Sequence, residues 1–197
     1  RPFIEGIFLK YSEIEKQQLI ENVKHPIIRE SLKLFQKENN QIEITTLADI
    51  PAGTGLGSSS SFTTALVAGL SHFDMKKIQA EEIARLACKI EIEMLKEPIG
   101  KQDQYIAAYG GLTCFTFCKN EKVKVEKLNI SKETLFDLED NLLLFFTGFT
   151  RKAGSILKDQ KIKSEKNDLK MLKNLDTVKD MGYRIKKILE IGKLNEF

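Results

Sequence analysis

The chain has 197 residues, 42% of them hydrophobic, enough to bury a core in one or at most two domains. Its 12 Gly and 4 Pro are too few for a low-complexity or collagen-like chain, and no apolar run approaches the roughly 18 residues that cross a bilayer. The 31 basic and 28 acidic residues nearly cancel to +3, although Arg151 to Lys193 holds 13 Lys or Arg against 6 Asp or Glu. Lysines in that stretch alternate with leucines at helical spacing and Tyr183 is the one aromatic among them, so it reads as a solvated helix face rather than a nucleic-acid or membrane surface.

From Ser12 to Phe35, Ile14, Leu19, Ile20, Val23, Ile27, Ile28, Leu32 and Phe35 recur at three- and four-residue intervals, which predicts a helix broken at Pro26. Gln41 to Leu47 is a β-branched alternating run and predicts a strand. A Gly/Ser-rich turn follows over Asp49 to Ser61, and the uncharged stretch Phe62 to Phe73 predicts a buried helix. Ile83, Ala87, Ile90 and Met94 form one apolar stripe over Ala80 to Lys96, a helix ended by Pro98. Beyond a second turn at Gly110-Gly111, the runs 112–117, 123–128 and 142–147 read as strands. From Ala153 two long helices are expected, divided near Met181-Gly182. This order of elements argues for an α+β fold rather than a doubly wound sheet.

Cys88, Cys114 and Cys118 are an odd set without metal spacing, which points to reduced thiols and a cytoplasmic setting. Arg1-Pro2-Phe3 shows neither an initiator Met nor a signal-like segment, and Leu194 to Phe197 follows directly on a helical pattern. The expectation is of a partial chain, edged at both ends and without a targeting segment.

The chemistry concentrates in Pro51-Ala52-Gly53-Thr54-Gly55-Leu56-Gly57-Ser58-Ser59-Ser60-Ser61, between a predicted strand and an apolar helix. Alternate glycines let backbone amides approach an anion. A serine-capped helix start adds its dipole and hydroxyl donors, so the segment is a candidate phosphate site. It is not a Walker A loop, because Gly57 is followed by four serines and then by no lysine until Lys76. Nor is it the dinucleotide fingerprint, whose third glycine falls on Ser58. The competing reading, a flexible Gly/Ser linker, is weakened by hydrophobic elements on both sides and by Leu56 within it.

Phosphoryl transfer also needs carboxylates. Glu91 has Ala84, Ala87, Cys88, Met94 and Leu95 within one or two turns and is expected to be enclosed, whereas Glu93 reads as a surface acid. Asp103, in the polar turn Pro98 to Tyr105, is a candidate general base or an ordinary turn former.

Taken together, residues 51–60 resemble the central ATP-binding signature of the GHMP kinases, the galactokinase, homoserine, mevalonate and phosphomevalonate kinase superfamily. Glu91 stands seven residues before Pro98 and Asp103 five after it, a spacing similar to that of galactokinases. Gly100-Lys101-Gln102-Asp103-Gln104 and Thr147-Gly148-Phe149-Thr150-Arg151 are similar to the heptose 7-phosphate kinase subfamily. The resemblance implies a ribosomal protein S5 domain 2-like core. An N-terminal ATP-binding domain over 1–150, without its first strands, would lead into a C-terminal helical region over 151–197. It also implies ATP and Mg2+ as cofactors and a sugar phosphate as substrate.

By the same resemblance Pro51, Gly53, Gly55, Leu56, Gly57, Ser58, Ser59 and Ser60 would hold the nucleotide, and Ser59 and Glu91 the Mg2+. Asp103 would serve the acceptor hydroxyl, with Gly100, Lys101, Gln102 and Arg151 near the sugar phosphate. The family's first signature precedes Arg1 or is missing, and its third is expected beyond Phe197, so these 197 residues alone are expected to show little or no turnover. Other acceptors, and a non-catalytic phosphosugar or nucleotide module, stay open at this point. Neither nucleic acid nor a membrane is an expected partner.

Overall fold

The computed structural model describes residues 5–37, 41–50, 53–145 and 154–197. Contacts gather them into two compact units, the first running to Ala108 and the second from Tyr109 to Phe197. Helices and short sheets are mixed in an α+β arrangement.

The first unit is built on a three-stranded sheet. Strand β1 (Ile7–Lys10) pairs antiparallel with β2 (Ile14–Gln17) and parallel with β3 (Ile42–Thr45), with Leu9 opposite Glu15 on one side and Ile44 on the other. Ile7, Leu9 and Ile42 join Ile20, Val23, Ile28, Leu32, Leu66 and Leu70 in the core. The helix predicted from Ser12 is overturned in its first half. There the apolar spacing does not track burial, since Ile14 is 75% exposed while Glu15 is 5% exposed. Pairing with β1 decides the conformation instead.

A short 3-10 turn spans Ile20–Asn22, and the helix proper is α1 (Pro26–Leu34). Proline stands at its start and the His25 ring nitrogen accepts from the Ile28 amide.

Helix α2 (Ser58–Phe73) buries Thr63, Thr64, Leu66, Val67, Leu70 and Ser71. Its far end is tied back to α1, because buried Lys37 pairs with Asp74, the residue that caps α2. Helix α3 (Ala80–Cys88) passes into a π-helical turn, Lys89–Met94, where the expectation was one regular helix to Lys96. The Leu95 amide bonds to the Ile90 carbonyl five residues back and the Glu97 amide to the Glu91 carbonyl, which widens the turn that carries Glu91.

The polar stretch after Pro98, expected as a turn, forms helix α4 (Gln102–Tyr109). Its buried residues are Gln104 and Tyr105, so no apolar stripe announces it. The Tyr105 hydroxyl donates to Glu81 on α3 at 3.0 Å.

In the second unit, β4 (Thr113–Phe117) and β5 (Val123–Lys127) make an antiparallel hairpin with Phe115 opposite Val125. Helix α5 (Lys132–Asp140) is capped by Ser131. Leu142 to Phe145 form no strand, contrary to expectation, and are exposed. No neighbouring strand among the described residues completes a ladder there. Residues 146 and 147 of that predicted strand lie outside the described residues.

Helices α6 (Gly154–Glu165) and α7 (Leu169–Glu190) are divided at Asn167, which has φ +55°, and at the Asp168 cap, not at Met181-Gly182. One glycine inside a helix costs about 1 kcal/mol relative to alanine, which α7 tolerates. Lys186 of α7 pairs with Glu126 of β5. Among the described residues no helix is long and apolar enough to cross a membrane.

Candidate functional site

The glycine turn takes the backbone path that its sequence suggests. Gly53, Gly55 and Gly57 have φ of +79°, +79° and +69°, left-handed values that side chains disfavour. Gly57 is the N-cap of α2, with no side-chain cap, and its carbonyl accepts from the Ser61 amide. The serines therefore do not cap the helix from outside, as the sequence suggested. Ser58 to Ser60 lie inside its first turn, and the helix start has no side-chain acceptor of its own.

Ser59 is exposed, and its hydroxyl donates to Glu91 Oε1 at 2.6 Å. The second carboxylate oxygen, Oε2, accepts from Gln104 Nε2 at 2.8 Å. Glu91 is 1% exposed, and among the described residues no Lys or Arg pairs with it. Two neutral donors offset only part of the cost of burying a carboxylate.

Asp103 stands in the first turn of α4 and is exposed. A methyl built on Gly57 would lie 3.3 Å from Asp103 Cγ and 3.4 Å from Oδ2, so the carboxylate rests against the glycine turn. Ser59, Glu91 and Asp103 are thus brought together at the start of α2.

Other expected residues are arranged around this centre. Ser60 is buried, while Gly53, Gly55, Leu56, Gly100 and Gln102 are exposed. Lys101 is half-buried and Glu93 is exposed. Pro51 and Arg151 lie outside the described residues. Cys88, one helical turn before Glu91, has its thiol pushed up to about 12, chiefly by burial. Lys101 opposes this, and Glu91, Glu81 and Glu93 add to it.

Sequence reasoning missed a cavity of about 700 Å³ between β3 with its following loop and one face of α2. Leu47, Ile50, Leu56, Phe62 and Phe73 line it together with Ser58. The available signal was the apolar character of Leu47 and Ile50 just before the glycine turn.

Among the described residues no three His, Cys, Asp or Glu side chains cluster to hold a metal by themselves. One buried carboxylate without a cationic partner, bonded to a serine hydroxyl, fits a hard cation that draws its other ligands from phosphate and water, as Mg2+ does.

Residues 26–111 match the family model described as the GHMP kinases N terminal domain. The D-glycero-alpha-D-manno-heptose 7-phosphate kinase of Campylobacter jejuni is 30% identical over 184 residues, covering 91% of this chain and 54% of that protein. A galactokinase of Thermococcus kodakarensis is 32% identical over 124 residues, covering 63% of this chain and 34% of that protein. The crystal structure of a D-glycero-D-manno-heptose 1-phosphate kinase from Bacteroides thetaiotaomicron superposes with a TM-score of 0.59 at 28% identity, over 85% of this chain and 57% of that one. The chain therefore spans little more than half the length of the first of these relatives. Residues 26–111, which span α1, the glycine turn, the Glu91 turn and α4, are thus similar to the GHMP kinases N terminal domain.

Proposed function

We propose that this chain is the ATP-binding part of a cytoplasmic sugar kinase that moves the γ-phosphate of ATP to the anomeric hydroxyl of a phosphorylated heptose. The preferred acceptor is D-glycero-D-manno-heptose 7-phosphate, giving the 1,7-bisphosphate. Residues 1–150 serve as the ATP-binding domain and 151–197 begin the C-terminal helical region. One observation carries the reading: the Ser59–Glu91 hydrogen bond and the Gly57–Asp103 contact meet at the start of α2. Both relatives' names favour a heptose, and that of the Campylobacter jejuni relative favours the 7-phosphate as acceptor.

In this reading the amides of Gly53, Gly55, Gly57, Ser58 and Ser60 hold the phosphates, helped by the positive end of α2. Pro51 and Leu56 border the nucleotide, and the apolar cavity beside Leu47, Leu56 and Phe62 takes the purine. Ser59 and Glu91 hold Mg2+, which when bound neutralises charge on the phosphates. Asp103 orients the acceptor hydroxyl and takes its proton as the oxygen bonds to phosphorus and ADP departs. The transfer passes through a loose transition state, so orientation is the larger part of that task. Gly100, Lys101, Gln102 and Arg151 are assigned to binding the sugar phosphate.

The test is ADP release by the intact protein against a panel of heptose and hexose phosphates, galactose and mevalonate. The heptose 7-phosphate is expected to give the highest kcat/KM, and Asp103→Asn to lower kcat about 10²- to 10⁴-fold with nucleotide binding retained. Preference for galactose or mevalonate overturns the acceptor. Full transfer by Asp103→Asn overturns the role of that residue.

A further inference from the structure

Gln104 is 0% exposed, and its amide nitrogen donates to Glu91 Oε2 while the Ser59 hydroxyl donates to Oε1. The carboxylate fixes which way the amide points, because turning it over would set a carbonyl against an ionised oxygen. In this orientation Gln104 Oε1 is left buried with no hydrogen-bond partner. Buried polar atoms are rarely left unsatisfied, and a side chain serving only to fill space would not need this arrangement. Gln104 also follows Asp103 directly on α4, so its bond ties the helix carrying one acid to the π turn carrying the other.

We propose that Gln104 is a positioning residue. It clamps Glu91 Oε2, fixing the carboxylate so that Oε1, the oxygen facing Ser59, is the one presented to the cation, and it thereby sets the metal affinity of the site. This inference rests on the reading of Glu91 as a cation ligand.

Two near-isosteric substitutions in the intact protein test it. Gln104→Met removes the amide donor together with the unpartnered carbonyl, and Gln104→Glu sets a second carboxylate against the first. The readouts are Mn2+ binding by calorimetry in the presence of a non-hydrolysable ATP analogue, the Mg2+ concentration for half-maximal activity, and the melting temperature.

The expected result for Gln104→Met is Mn2+ affinity about 10-fold weaker, corresponding to one hydrogen bond of roughly 1.4 kcal/mol. A matching rise in the Mg2+ requirement should follow, with kcat at saturating Mg2+ and the melting temperature near wild type. Gln104→Glu is expected to lower the melting temperature instead, because two buried carboxylates then repel without a cation between them. A packing role predicts instead that Gln104→Met binds Mn2+ like wild type, and that result overturns the proposal even if Gln104→Glu fails to fold.

Glu91→Gln is the reference variant. If it loses the metal response while Gln104→Met keeps it, the clamp is wrong and Glu91 stands as ligand. If Glu91→Gln keeps the response, the assignment of Glu91 falls and the clamp with it.

Discussion

Gly57 and Asp103 are packed so that the α-carbon of one faces the carboxylate of the other, with room for a methyl group only at 3.3 Å from Asp103 Cγ. Gly57 also has φ of +69°. Alanine there meets both obstacles, the left-handed backbone at about 1–2 kcal/mol and a neighbour that must yield by a few tenths of an ångström. Gly57→Ala should therefore lower Tm by roughly 2–8 °C. Because the displaced group is Asp103, kcat should fall more than nucleotide affinity. Calorimetric melting and nucleotide titration check this together, and an unchanged kcat would show that the contact has no bearing on transfer.

Glu91 carries a charge that its surroundings satisfy only with neutral donors. Glu91→Gln keeps the shape and, with the Ser59 hydroxyl turned to accept, both hydrogen bonds. Folding should then be unharmed or favoured by on the order of 1 kcal/mol, while the response to Mg2+ disappears and kcat drops about 10²-fold or more. Stability measured in urea and Mg2+-dependent activity are expected to move in opposite directions. A variant that is both strongly destabilised and metal-responsive would contradict the account of Glu91.

Particular residues show how far the sequence could be followed. The run at Ile42 to Thr45 announces itself by its β-branched alternation, and the helix after Ser58 by a stretch without a charge. Strand β2 does not, because it buries Glu15 while exposing Ile14. Helix α4 is hidden for a related reason, since Gln104 is polar yet wholly enclosed. At the site, the small apolar neighbours of Glu91 correctly suggested its enclosure. The bond from Gln104 could not be read, because it depends on the π turn and on α4, neither of which leaves a periodic signal.

The cysteines should differ in reactivity. Cys88 is buried, its thiol pushed up to about 12, mainly by desolvation, whereas Cys114 and Cys118 are partly accessible on and beside the β4–β5 hairpin. The thiolate is the reactive form, so Cys88 should resist a disulfide reagent at pH 8. Two thiols are expected to react in the native protein and a third only on unfolding. Rapid modification of all three under native conditions would show that the α3 end opens readily. Cys88→Ala should remove the slow phase alone.

Acid should weaken the fold in two separable steps. His25 caps α1 by accepting from the Ile28 amide at 3.5 Å, with its ring between Tyr11 and Phe62 at centroid distances of 5.0 and 5.1 Å. Burial holds its pKa below the ordinary value, against the opposing pull of Glu15 and its own backbone. The unfolded chain therefore takes up this proton more readily. The His25 contribution is complete above about pH 6.5 and declines as pH falls below it.

Glu15 and Glu30 follow at lower pH. Burial raises each, but for Glu15 the Lys24 amide, Gln17 and Tyr11 outweigh it, and for Glu30 Arg29 and Lys33 do. Both therefore stay below the ordinary carboxylate value, and their contribution is lost only as pH drops below about 4.3. His25→Asn keeps a side chain able to cap α1 and removes the titrating ring. Urea midpoints across pH 4 to 8 should lose the upper step and keep the lower one. An upper step that persists in His25→Asn would assign it to another group.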